Sequence, residues 1–361
     1  MADNTIKEYK IIGVMSGTSL DGLDLANCRF WEENGKWKYE IHNTEFIPYS
    51  SQWKEKLKNA PLLDGYSLSI LDREFGNYIG ERCLDFIKKY IIKPGYISSH
   101  GHTVFHNPAQ KLTVQIGHGP SITAKTKLPV ICDFRTMDVA AGGQGAPLVP
   151  VGDRMLFHEY DVCLNLGGIA NFSFEKEGKR VAYDICPCNI ILNAIALQAG
   201  KEYDANGEIA SKGKPDNIWL EKLEKWRHYS SPAPKSLHKE ELMQFWNAFL
   251  ECDLNIADKM ATASAHIANR INVEIGIAEI KNGKVLVTGG GAFNKILINN
   301  LRLQNGMQYI LPSDELVNFK EALIFGFLGL LRILERPNCL LSVTGAEHDT
   351  IGGAVYIVPA S

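Results

Sequence analysis

GVMSGTSLDGLD, residues 13–24, is the stretch whose reading decides how this chain folds. It lies between two apolar runs, 9–14 and 23–28, rich enough in Ile, Val and Leu to predict strands, and its Asp21–Gly22 pair is a turn signal. A strand, a loop of Gly, Ser and Thr and then a second strand make a device for handling an anion. Glycines let backbone N–H groups approach a phosphate closely, and the hydroxyls of Ser16, Thr18 and Ser19 add donors. No Lys follows, so this is not the GxxxxGK[ST] loop. Taken alone, the stretch reads more readily as a polar hairpin turn.

Outward from the loop, the first third of the chain alternates strand-like and helix-like segments. The spacing of Phe75, Ile79, Leu84 and Phe86 among charges predicts a helix over 72–90. Short strands are predicted at 96–99, 112–116 and 130–132. AAGGQGAPLVP, 140–150, is rich in Gly and Pro and is the best candidate for a domain junction. A second strand–glycine–strand unit follows: 161–166, then Gly167 and Gly168, then 170–174, with a further strand at 180–185. It echoes the opening hairpin about 150 residues later and suggests a duplicated architecture holding a nucleotide between its halves. A strand at 285–288 enters GGGAFN before a helix at 295–301, another geometry suited to a nucleotide, although the GxGxxG order is missing. The segment 219–254 is helical by pattern and interrupted by SSPAPKS.

Composition bounds the function. With 361 residues, 45% hydrophobic and 22% charged, the chain suits a globular protein of two ordinary domains. A net charge of −3 without a Lys/Arg run excludes nucleic acid as the expected partner. The polar start, MADNTIKEYK, predicts no secretory signal, and the longest apolar stretch, 322–331, is too short to span a membrane. Eight scattered cysteines show no disulfide framework and suit the cytoplasm.

Together the segments resemble one family, the anhydro-N-acetylmuramic acid kinases of the actin-like and sugar-kinase ATPase superfamily. The matching stretches are GVMSGTSLDGLD (13–24), SHGHTVFH (99–106), QIGHG (115–119) and DFRTMDVAAGGQGAPLVP (133–150). They continue, in the family's order, with LNLGGIANFS (164–173), TGGGAFN (288–294), EALIFGFL (321–328) and SVTGA (342–346). The resemblance implies an α/β protein of two ribonuclease-H-like domains of the actin/hexokinase type, 1–138 with 342–361 and 139–341, with an interdomain cleft. It also implies ATP and Mg²⁺ in that cleft, an anhydro-amino-sugar substrate and a homodimer. By the same resemblance Gly17, Thr18, Ser19, Leu20, Asp21, Gly22, Leu23 and Asp24 wrap the ATP phosphates, opposed by Gly167 and Gly168. Gly289, Gly290, Gly291 and Asn294 contact the adenosine end, and Asp21 and Asp24 supply carboxylates to Mg²⁺. Asp21 and Asp24 read equally as a turn-forming and a strand-end Asp.

The family opens the intramolecular 1,6-anhydro bridge of its sugar with water and transfers the γ-phosphoryl group of ATP to the freed 6-oxygen. Its general base is the Asp of a DTGPGN motif, which places Asp184 in that role here. Arg135 matches a sugar-side Arg able to fork a lactyl carboxylate, and Glu321 a substrate-binding carboxylate. His100 and Thr103 are carried over as further substrate contacts. The plain alternatives are a strand-end Asp184, an interdomain ion pair for Arg135 and a charge near a helix start for Glu321.

The chain departs from the family pattern where it reads DICPCN, 184–189, in place of DTGPGN. Cys186 and Cys188 replace glycines, whose usual contribution is positive φ or close backbone approach. His118 stands where the family has Asp, and His102 where it has Gln. His100, His102, His106, Cys186 and Cys188 raise a zinc reading, but the paired spacing of structural zinc sites is missing. A hydrolase lacks support because no GxSxG elbow occurs. These substitutions keep open an altered family member, acting on another amino sugar or only binding nucleotide. The retained Asp184 favours a working kinase.

Overall fold

The computed structural model describes residues 6–17, 19–233, 235–237, 239–303 and 306–359. The chain divides into two units, Met1–Leu156 with Phe319–Ser361, and Phe157–Asn318.

In the first unit, β1 (Glu8–Ser16), β2 (Gly22–Glu33) and β3 (Lys36–Pro48) form an antiparallel meander. Helices α1 (Ser51–Asn59) and α2 (Gly65–Tyr90) lead on to β4 (Tyr96–Ser99), which pairs with β1 in parallel. A separate hairpin of β5 (His102–Asn107) and β6 (Leu112–Ile116) is followed by α3 (Gly119–Thr126) and β7 (Val130–Cys132), which is parallel to β4. Helices α4 (Thr136–Ala140) and α5 (Val149–Leu156) close this stretch.

In the second unit, β8 (Val162–Leu166), β9 (Ile169–Lys176) and β10 (Lys179–Pro187) repeat the antiparallel meander. After α6 (Asn189–Gln198) come α7 (Asn217–Leu223), α8 (Arg227–Ser230), α9 (Lys239–Leu250) and α10 (Ile256–Ile277). Next, β11 (Lys284–Thr288) runs parallel to β8, and α11 (Lys295–Arg302) precedes β12 (Gln308–Ile310), parallel to β11. Helix α12 (Asp314–Ile333) carries the chain back into the first unit, where α13 (Leu341–Thr344) and β13 (Ala354–Tyr356), antiparallel to β7, complete it.

The sheets are ordered β13-β7-β4-β1-β2-β3 and β10-β9-β8-β11-β12. Counted within each unit, both contain the order 3-2-1-4-5 with the second strand antiparallel to its neighbours. This is the ribonuclease-H-like arrangement, occurring twice. Central β1 reads as a continuous apolar run because its inner residues are buried on both faces. Gly13 is required there: a Cβ would lie 1.8 Å from the carbonyl oxygen of Ala322 in α12, so helix and strand meet backbone to backbone. Ile12, Val14, Leu25, Phe75, Ile79 and Ile97 lie in the core of the first unit, and Leu164, Phe172, Ile191, Trp246, Ile267 and Val287 in that of the second.

The helix expected over 72–90 begins at Gly65, where the Asp64 side chain accepts from the Ser67 N–H and caps it. The Gly/Pro-rich 140–150 lies within the first unit, whose boundary falls after Leu156. The physical reason is Asp138, a fully buried carboxylate that accepts from Gly145 N (2.7 Å), Thr344 Oγ1 (2.8 Å) and the Cys339 thiol (3.0 Å). It sews this loop to the chain's C-terminal segment. That segment enters the unit from Phe319, ahead of 342, because α12 packs on β1.

Candidate functional site

The 17–22 loop joins β1 to β2, which pair from Ser16 opposite Leu23. Gly17 is half-buried, Ser19 and Asp21 are exposed, and Thr18 lies outside the described residues. Leu20 stands at φ +61°, a left-handed conformation that costs a branched apolar residue energy and is typical of loops held for a purpose. Half-buried Asp24 lies in β2, next along the register from Leu23. Burial raises its carboxyl pKa to about 7, and the negative charges of Glu321 and Asp21 add to the effect.

Strand β4 delivers His100 and Arg135 follows β7. The His100 N–H is held by the Val14 carbonyl (3.0 Å), and its Nδ1 faces the Gly101 carbonyl at 2.8 Å. With the proton on Nδ1, Nε2 accepts from Arg135 Nε (3.0 Å) and faces Nη2 at 2.9 Å, while Arg135 Nη1 donates to the Gly145 carbonyl (2.6 Å). Burial first, and then the Arg135 charge, push the His100 pKa well below its ordinary value, so this imidazole is a neutral acceptor. Burial lowers the Arg135 pKa to about 10, opposed by the negative charge of Glu321. Glu321, on α12, is open to solvent but crowded by protein; this raises its pKa against the opposing pull of Arg135 and Lys320. Asp24, Asp21, Glu321, Arg135 and His100 thus share one electrostatic neighbourhood. Thr103 lies on β5, half-buried, with its Oγ1 3.4 Å from Gln115 Nε2.

In the second unit the turn at Gly167 and Gly168 is tied to the start of α6. The Gly168 carbonyl accepts from Cys188 N (2.9 Å) and Ile190 N (3.2 Å), and the Gly167 carbonyl from Asn189 N (3.1 Å). Asn189 Nδ2 donates to the Leu166 carbonyl at 2.9 Å. Gly289, at φ +82°, packs on the same corner: a Cβ there would lie 2.5 Å from Asn165 Oδ1 and 2.7 Å from the Leu166 carbonyl carbon. The structure therefore brings Gly167 and Gly168 together with Gly289 and Gly291. Asn294 is placed differently. Its side chain is buried and caps α11, with Oδ1 accepting from Leu297 N at 3.1 Å.

Asp184 is half-buried on β10, beside a bulge between Asp184 and Cys186. One carboxylate oxygen accepts from Leu237 N (2.9 Å), its backbone N–H donates to the Lys235 carbonyl (3.0 Å), and its own carbonyl faces His228 Nε2 (3.2 Å). The 235–237 stretch is anchored by Lys235 Nζ on Glu274 Oε1 at 2.8 Å, and Arg270 donates to the same oxygen at 2.9 Å. Both Cys186 and Cys188 are fully buried in the apolar core. Burial raises both thiol pKa values, that of Cys188 to about 12. Cys188 stands at φ −127°, ψ −101°, with a negative φ but outside the regular helical and extended regions. Neutral, buried thiols are poor ligands, and no group of three or more metal-ligating side chains occurs among the described residues. His118 precedes α3 with its Nδ1 2.9 Å from Ser121 Oγ, a local fold contact.

Sequence reasoning missed Tyr49 and Asp138. Asp138 lies inside a quoted motif, but Tyr49 carries no local signal because only the β-meander brings it to the loop.

Two units of one topology, each opening with a glycine-turned hairpin, define the class: the two-domain fold of actin-like ATPases and sugar kinases. Known sequences narrow this further. The pattern of the family described as anhydro-N-acetylmuramic acid kinase matches residues 9–358. The anhydro-N-acetylmuramic acid kinase of Rhodopseudomonas palustris is 33% identical over 365 residues, 95% of this chain and 97% of that protein. The protein of the same name from Photobacterium profundum is 33% identical over 98% of this chain and 99% of its own length. Among solved structures, a ROK hexokinase from Thermus thermophilus is matched at a TM-score of 0.39 and 12% identity, over 89% of this chain and 99% of that one. The chain belongs to the anhydro-N-acetylmuramic acid kinase family.

Proposed function

We propose that this chain is an ATP-dependent kinase that opens the 1,6-anhydro ring of anhydro-N-acetylmuramic acid with water and phosphorylates the 6-oxygen. The product is N-acetylmuramic acid 6-phosphate, for the recycling of cell-wall sugars. The family match over residues 9–358 carries this reading.

In the mechanism we infer, Asp184 is the general base. Leu237 N–H holds one of its oxygens, and the other takes a proton from the water that attacks the anomeric carbon. As the bridge breaks, the 6-oxygen leaves the anomeric carbon and accepts the γ-phosphoryl group, so leaving group and acceptor are one atom. Arg135, braced by His100 and the Gly145 carbonyl, offers its guanidinium to the substrate carboxylate, with Glu321, His100 and Thr103 orienting the sugar. Residues 17–24, together with Gly167 and Gly168, supply donors to the ATP phosphates, and Gly289, Gly290, Gly291 and Asn294 supply surface for the adenosine end. The all-oxygen donor set of Asp21 and Asp24 beside a phosphate-binding loop suits Mg²⁺, which takes one or two carboxylates and completes its shell with phosphate oxygens and water. Asp21 and Asp24 would hold it together with phosphate oxygens and water, and when bound it neutralises charge on the transferred phosphoryl group.

Eight free cysteines, and no helix among the described residues long and apolar enough to cross a membrane, support a cytoplasmic setting. The homodimer is taken from the family resemblance. The decisive assay combines purified protein, ATP, Mg²⁺ and anhydro-N-acetylmuramic acid, with ordinary amino sugars alongside. Formation of N-acetylmuramic acid 6-phosphate and ADP in equal amounts is expected; turnover of ordinary amino sugars alone would overturn the substrate assignment.

A further inference from the structure

We propose that Tyr49 is a positioning residue for ATP, clasping both ends of the 17–22 loop, and that Ser16 and His102 complete the clasp. The inference rests on this loop being the one that binds the ATP phosphates. Tyr49 follows the last residue of β3. Its phenol donates to Ser16 Oγ at 2.7 Å, at the point where β1 enters the loop. Its backbone N–H donates to the Asp21 carbonyl at 3.0 Å, at the point where the loop leaves for β2. One residue, remote in sequence, therefore sets the span between entry and exit.

Ser16 Oγ accepts from the Tyr49 phenol and lies 3.1 Å from His102 Nδ1; with the His102 proton on Nε2, Ser16 donates to that nitrogen. Tyr49, Ser16 and His102 are all buried, and each has its partner inside the protein. Phe75 is the common floor: Tyr49 tilts against it at 6.1 Å and His102 meets it edge-on at 6.3 Å. Tyr78, stacked on Phe75 at 6.1 Å, packs beside it against Tyr49 at 6.0 Å. A serine with its hydroxyl fixed at both donor and acceptor ends cannot turn without breaking a buried hydrogen bond. The backbone that follows it is therefore preorganised, and affinity for the phosphates is gained by not having to order the loop on binding.

The test measures affinity for a non-hydrolysable ATP analogue with Mg²⁺ by calorimetry, together with steady-state kinetics, on the full chain. Y49F removes the Tyr49–Ser16 bond, and S16A removes it together with the Ser16–His102 contact. Each should raise Kd and the KM for ATP, Y49F about three- to tenfold and S16A at least as much, with kcat at saturating ATP and the KM for the sugar within about twofold of the parent. The double variant should be no weaker than about twofold beyond S16A, since S16A already deletes the bond that Y49F removes. Y78F, which removes a phenol from the same aromatic cluster but not from the loop, should bind as the parent does. Parent affinity in Y49F, or a rise in both KM values together in step with lost thermal stability, would overturn the positioning role. If Y49F fails to fold, S16A decides between the same outcomes. A folded parent without affinity for the analogue overturns the phosphate-loop reading itself, a result distinct from a parent that binds and a Y49F that binds equally well.

Discussion

Asp184 and His102 show how one residue's environment sets what it does. Asp184→Asn keeps shape and the acceptor for Leu237 N–H but removes the basic oxygen. Turnover should fall by about two to four orders of magnitude while affinity for ATP, measured by calorimetry, stays near the parent value. Lost stability with proportionate loss of binding and rate would mark a structural Asp instead, and Glu321 would be the next carboxylate to vary. For His102, burial lowers the pKa from 6.5 to about 4. The folded state then binds fewer protons than the unfolded chain between those values. Its contribution is fully present above about pH 6.5 and is lost as pH falls towards 4, amounting to about 3 kcal/mol. Denaturant titrations from pH 7 to 4 on the parent and on H102Q should differ by this slope, the difference separating His102 from Asp24 and His100, which titrate abnormally too. The sequence singled out Asp184 from its motif, whereas its hydrogen bond from Leu237 comes from 53 residues away and left no local trace.

At the level of elements, the hairpins were legible because apolar runs flank glycine turns; β1, β2 and β9 contain the stretches predicted, and β8 all of its stretch but Asp161. Strand β3 was not predicted, although Lys36 to His42 alternates polar and apolar residues, the period-2 pattern of a half-buried strand. The contact of α12 on β1 makes a sharp prediction. Gly13→Ala places a methyl group 1.8 Å from the Ala322 carbonyl oxygen, with backbone on both sides and little room to yield. Denaturant unfolding should show a loss of about 3 kcal/mol or more. The bulged β10–α6 connection is a second test. Cys186 and Cys188 pack in the core with raised pKa values. The C186A/C188A variant should lose about 1–3 kcal/mol of stability yet keep at least about a tenth of parent turnover. Loss of all turnover in a folded sample would assign these thiols a chemical role.

For the molecule as a whole, a ligand that binds only the folded state raises its stability by mass action. ATP with Mg²⁺ at about 100 times its Kd should add about 2.7 kcal/mol, and D24N should reduce that gain if Asp24 helps hold the ion. Thermal unfolding with and without nucleotide checks it. By itself the sequence determined the repeated strand–glycine–strand unit, because turn chemistry and hydrophobic period act over a few neighbouring residues, and the resemblance of its motifs gave the family and, through it, the candidate base. Only the tertiary structure decided where the units divide, because a buried carboxylate at Asp138 binds a loop to residues some two hundred positions later. It also decided that Asn294 spends its side chain on a helix cap and that His100 is a neutral brace for Arg135. Above all it brought Tyr49 to the glycine loop. Burial, protonation and the choice of hydrogen-bond partner depend on which distant atoms surround a group, and folding alone supplies those neighbours.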